Sequence, residues 1–224
     1  MVNVVIGKNV GSVYYVVNGY IQYASSMPER EPVESTRPYH HGNLRATLLD
    51  AAERTLRDQG IEHVSIRDLA RQVGVSHAAP SRHFRDRQAL LDGLAAAGYL
   101  RLGDEIAAAV ADADKSFGSR LRAVAMTYVR FALENAALLD LMFATGKAGR
   151  NYAAAEAFGR PYAILSELVE HGRETGELRA GDPQRLCVII VATFRGIATL
   201  VGSGGVPVEQ TNDLVAEAAA LFTA

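Results

Sequence analysis

Residues 65–91 read SIRDLARQVGVSHAAPSRHFRDRQALL, and this stretch decides the fold. Ser65 is a helix N-cap with Asp68 three residues on, an acidic variant of the capping box. Ile66, Leu69, Ala70 and Val73 fall at i, i+3, i+4 and i+7, the apolar stripe of a short helix. Gly74 gives the backbone freedom that ends this helix and turns the chain. Ser76 caps a second short helix, expected from His77 to about His83. Asp86 caps the helix that follows at once. Two capped helices around a glycine turn form a helix-turn-helix, whose second helix is expected to lie in a DNA major groove.

Upstream, Asn43 is positioned to cap a helix reaching about Gln59, with Leu44, Leu48, Ala52 and Leu56 on one face and Gly60 as its stop. Ile61 and Val64 lie in the connector that follows. These three helices make a head with a predicted core of Leu48, Ala52, Leu56, Ile66, Leu69, Ala70, Val73, Val75, Phe84 and Leu90. Subtracting that core leaves Ser76, His77, Ala78, Pro80, Ser81, Arg82 and His83 as candidate DNA contacts. His77 can donate to a guanine or accept from an adenine amino group, and Ala78 can meet a thymine methyl. Arg82, Arg85 and Arg87 suit phosphate, which sets affinity rather than sequence choice. Ser65, at a helix N-terminus, is a further phosphate candidate. Pro80 falls near the fourth helical position, where a proline is tolerated and stiffens the segment. Arg37, Tyr39, His40 and Arg45 can add backbone or minor-groove contacts from an N-terminal arm.

Composition bounds the alternatives. The 224 residues are 49% hydrophobic and 21% charged, with abundant alanine, which points to an all-α chain: a three-helix head on a larger helical ligand-binding and dimerisation body. Net charge is −2, but it is unevenly spread: residues 35–101 carry +3 and five of the six histidines, and residues 102–224 carry −4. A basic head on an acidic body suits a nucleic-acid reader. The single cysteine, Cys187, excludes an intrachain disulfide, suggests a reducing compartment and reads as a small buried hydrophobe. His77 and His83, six apart, face different sides of a helix, so no metal and no cofactor is expected. No run of 18 apolar residues is present, so no membrane partner is expected either.

The expected division is an extension at 1–36, a DNA-binding head at 37–86 and a body at 87–224. Val13 to Ala24 has a hairpin pattern around Asn18-Gly19, which favours a type I′ turn. The favoured reading is nonetheless a flexible or upstream stretch without a selected fold, translation starting at Met27. In the body, helices are expected at about 87–111, 117–135, 136–146, 151–176, 183–203 and 208–222. CVIIVATFRGIATLV (187–201) is apolar almost all round, so one side should face its own domain and the other a second subunit. Val191, Ile197, Leu214, Ala218 and Leu221 are the candidate interface of a two-fold homodimer.

Arg195, the one charge in that run, needs a carboxylate, solvent or an anionic ligand. An ion pair is the plainer reading and an effector-binding cation the sharper one. Met126, Tyr128, Phe131, Met142, Phe143, Tyr162, Leu165 and Phe194 are candidate pocket residues around it, although Met and aromatic residues at helical spacing more often form core.

YHHGNLRATLLDAA followed by SIRDLARQVGVSHAAPSRHFRDRQALL resembles the TetR/AcrR family of bacterial transcriptional regulators. FALENAALLDLMFATG (131–146) resembles one C-terminal subgroup, whose usual Trp-His-Gly is here Phe194-Arg195-Gly196. The resemblance implies a homodimer on double-stranded operator DNA, usually a repressor, cytoplasmic and nucleoid-associated, released by an unidentified small-molecule effector. The family commonly has a DNA-contacting tyrosine where this chain has Ser81, and a lysine where it has Arg87. Two other readings stand beside this one: a helical dimer with weakened DNA binding that acts through a protein partner, and a helical enzyme without a recognisable motif.

Overall fold

The computed structural model describes residues 4–9, 12–17, 20–25, 44–147 and 152–224. Near the N-terminus, β1 (Val4–Asn9), β2 (Ser12–Val17) and β3 (Tyr20–Ser25) form an antiparallel sheet in that order. Val17 pairs with Tyr20 and Val13 with Ala24, the register that a two-residue Asn18-Gly19 connection requires. β1 was not anticipated: Gly7 interrupts its pattern, and the pairing with β2 shifts between Val5 and Gly7.

The helices are α1 (Leu44–Gln59), α2 (Ile66–Gln72), α3 (Arg87–Asp112), α4 (Phe117–Glu134), α5 (Ala136–Lys147), α6 (Tyr152–Thr175), α7 (Pro183–Gly202) and α8 (Thr211–Ala220). The chain groups into two compact units, residues 1–98 with 137–157 and residues 99–136 with 158–224.

In the first unit, α1 buries Leu48, Leu49, Ala52 and Leu56. It ends where Gly60 takes φ 93, a value that side chains disfavour. A 3-10 turn at Ile61–His63 leads to Ser65, whose Oγ accepts from Asp68 N–H at 3.5 Å. Gly74, at φ 72, closes α2, and Val75 N–H reaches back to the Ala70 carbonyl at 3.0 Å. Leu69, Ala70, Phe84 and Leu90 are buried as expected, while Ile66, Val73 and Val75 are half-buried. Asp86 caps α3 by accepting from Ala89 N–H at 2.7 Å. Asn43 lies outside the described residues.

In the second unit, α4, α7 and α8 pack on one another. Phe117, Leu121, Phe131, Ile190, Phe194 and Val215 are almost wholly buried there. Asp182 caps α7, accepting from Arg185 N–H at 2.9 Å, with Pro183 in the first turn. By length and composition alone α7 would be long and apolar enough to cross a membrane, although Arg185 and Arg195 interrupt its apolar run. Here it is a bundle helix packed against α4 and α8.

Candidate nucleic-acid interface

The predicted second helix is not α-helical. Residues 77–79 form a turn and Pro80–Arg82 a single 3-10 turn. Ala79 N–H bonds to the Ser76 carbonyl at 3.0 Å, and His83 N–H to the Pro80 carbonyl at 2.9 Å. The reason is chemical: Pro80 has no N–H for the Ser76 carbonyl, so the i→i−4 ladder cannot start there. Pro80 is also buried, which removes it from the exposed contact face.

Ser76, His77, Ala78, Ser81 and Arg82 are exposed, and His83 is half-buried. The Ser81 hydroxyl donates to the Ala78 carbonyl at 2.7 Å, so its proton is turned inward. Arg85 pairs with the neighbouring Asp86 at 3.1 Å. Arg87 Nε donates to the Val64 carbonyl at 2.8 Å and its Nη2 to the Ile61 carbonyl. That guanidinium ties the start of α3 to the connector before α2, a role that charge alone did not suggest. Ser65 is half-buried and its Oγ is engaged in capping. Exposed Arg45 sets its guanidinium over the Phe84 ring, 5.4 Å from the centroid. Arg37, Tyr39 and His40 lie outside the described residues.

The pocket candidates divide between the units. Met142 and Phe143 belong to the first; Met126, Tyr128, Phe131, Tyr162, Leu165, Phe194 and Arg195 belong to the second. Met142 is fully buried against Gly98, where an added Cβ would meet its sulfur at 2.8 Å. Phe131, Leu165 and Phe194 are likewise core, the last with its ring 6.5 Å from that of Phe222. Met126, Phe143, Tyr162 and Arg195 are half-buried.

A polar cluster that includes a residue absent from the sequence-based set lies in the second unit. Burial pushes the Tyr99 phenol well above the usual tyrosine range; Tyr128 adds to the rise, and the Arg195 charge opposes it. Tyr99 was overlooked because its spacing in α3 is that of a core residue. Burial also pushes the Cys187 thiol up to about 12, against the opposing effect of a hydrogen bond with Tyr162. Among the described residues no group of three His, Cys, Asp or Glu side chains could hold a metal ion.

On α7, Val188, Ile189 and Leu200 are at least half exposed, and Ala192, Gly196 and Thr199 are exposed on the same side. Of the proposed interface residues, Leu221 is exposed and Val191, Ile197 and Leu214 are half-buried. Ala218 is buried within its own unit, so it does not belong to an open face. A helix apolar all round hides the phase of its two faces from sequence, which is why Val188, Ile189 and Leu200 were missed.

Residues 48–94 match the profile described as bacterial regulatory proteins, tetR family. Residues 121–222 match the tetracyclin repressor-like C-terminal domain. Among solved structures, the chain is similar to a protein of unknown function from Rhodococcus sp. RHA1, with 42% identity and TM-score 0.76 over 84% of this chain and 97% of that one. It shares its fold with the fatty acid degradation regulator FadR from Bacillus halodurans (17% identity, TM-score 0.67, covering 82% and 96%). The same fold recurs in a TetR family transcription regulator from Marinobacter aquaeolei VT8 (20% identity, TM-score 0.65, covering 80% and 95%). No curated protein matches the chain.

Proposed function

The chain belongs to the TetR family of bacterial regulatory proteins, a DNA-binding transcriptional regulator, and from that premise we propose a cytoplasmic repressor that binds a pseudo-palindromic operator as a homodimer and leaves it on binding a small-molecule effector. The observation that carries this reading is the exposed strip Ser76, His77, Ala78, Ser81 and Arg82 on the helix-turn-helix head. His77 and Ala78 read base edges, and Arg82 grips phosphate. Arg45 and the arm residue Tyr39 add backbone contacts.

The exposed apolar side of α7 supports the dimer, because a contiguous apolar helix face is poorly suited to water. Half-buried Arg195, whose charge acts on the buried Tyr99 phenol, supports an effector site in the second unit. An effector that binds better when the two heads are wrongly spaced for DNA shifts the dimer off its operator, and operator then weakens effector binding by the same factor.

Selecting binding sites from random duplexes tests the reading. The chain should enrich two half-sites one helical turn or more apart, ~34 Å or longer. His77→Ala should relax the choice at one position in each half-site and leave affinity for unselected DNA unchanged. Failure to enrich any sequence contradicts the proposal. A second reading, a dimer with weakened DNA contact acting through a protein partner, is favoured by the inward-turned Ser81 hydroxyl; strong enrichment by the wild-type chain would exclude it.

A further inference from the structure

One residue of the recognition segment, Pro80, determines its departure from an α-helix. A helix capped by Ser76 would direct the N–H of residue 80 to the Ser76 carbonyl, and Pro80 has none. Ala79 N–H takes that carbonyl instead. The Ser81 hydroxyl donates to the Ala78 carbonyl at 2.7 Å, a bond an α-helix also accommodates, and the first i→i−4 bond of the segment comes only after Pro80, from Phe84 N–H to the Pro80 carbonyl at 2.9 Å. Arg82 N–H goes to the Ala79 carbonyl, at 3.4 Å. Pro80 and Phe84 are both buried, so this tight turn is anchored four residues apart on the head's core.

The consequence is angular. A 3-10 helix turns about 120° per residue and an α-helix about 100°. Over the three steps from Ala79 to Arg82 the difference accumulates to roughly 60°. At the ~5 Å radius of a helix with its side chains, that displaces a side chain by roughly 5 Å. Successive bases along one DNA strand are only about 3.4 Å apart. Once Arg82 is seated on a phosphate, the type of turn therefore decides which base step lies under His77 and Ala78.

We propose that Pro80 is a specificity-determining positioning residue: without touching a base, it fixes the angle between the base-reading pair His77–Ala78 and the Arg82 phosphate clamp. The inference rests on residues 76–83 being the DNA-reading element. It predicts that restoring the α-helical ladder changes the sequence chosen, and that the general grip on DNA remains.

The test is parallel site selection with the full-length wild type, Pro80→Ala and Pro80→Leu, both of which restore the missing N–H. Thermal melting and affinity for unselected DNA are measured alongside. Both variants should enrich a half-site that differs from the wild-type one at the positions under His77 and Ala78. Affinity for unselected DNA should stay within about 2-fold, since the phosphate contacts are retained. Leucine keeps apolar bulk at the buried position, so its variant keeps the test decisive if the smaller alanine costs the fold. Folded variants that enrich the wild-type half-site overturn the inference and leave the DNA-reading proposal standing. A wild-type chain that enriches nothing overturns both.

Discussion

Arg82 and Arg87 carry the same charge five residues apart, yet only one has its guanidinium held by backbone carbonyls. Arg87 donates to the carbonyls of Val64 and Ile61. Arg87→Ala should cost about 1 kcal/mol, because the carbonyls lose a charged donor at a partly exposed site. For a chain of this size that is a fall in melting temperature of about 2–4 °C. Arg82→Ala should leave melting unchanged, weaken binding to every sequence and reduce the salt slope by about 1. Equal effects of the two changes on melting would contradict this division. Sequence could report that both residues are basic, but not that the chain folds two carbonyls toward Arg87 from more than twenty residues away. Cys187 is the simpler case, since its apolar neighbours already implied burial. Its thiol keeps its proton in the folded chain where an unfolded thiol, with pKa about 8.5, releases it. The associated stability is full below that range and is lost as pH rises toward about 12. At pH 8 native Cys187 should react with iodoacetamide at least roughly 100-fold more slowly than in denatured chain, since the thiolate is the nucleophile. Rapid native labelling would contradict the burial.

At the scale of elements, the boundaries of α3 to α7 were legible to within a residue or two because caps and breakers mark them. Asp86, Ser116 and Asp182 each accept a backbone N–H in the first turn of the helix they precede. The recognition segment was less legible. Pro80 was visible, but a proline in the first turn of a helix is usually tolerated, and its burial against the head was not legible. In α7 the apolar run revealed that two sides must be covered and concealed which residues face out. Val188→Glu on that outer side should convert a homodimer to monomers in sedimentation, with helical content retained. Gly196→Leu should act likewise: an added Cβ there meets nothing within 4 Å in the single chain, so only a neighbouring subunit would resist it. If both variants remain dimeric, α7 is not the interface.

For the whole molecule, the uneven charge suits a reader of DNA on a more acidic body, although the two compact units do not follow the expected boundary at residue 86, since the first takes in residues 1–98 with 137–157. The head and body were recognisable from residues 65–91 and the later apolar helices. The effector site was not, since core and pocket residues share the same helical periodicity. The Tyr99, Tyr128 and Arg195 cluster emerges only when α3, α4 and α7 are assembled. The central claim is that a dimer of these chains grips phosphate through Arg82 and reads sequence through His77 and Ala78. It is tested most directly by titrating the selected operator duplex with the full chain across a salt series. The account predicts two chains per operator, resistance to competitor DNA, and log affinity falling with log salt by about 0.9 for each phosphate neutralised. Binding of the operator no tighter than competitor DNA, or affinity indifferent to salt, would contradict it.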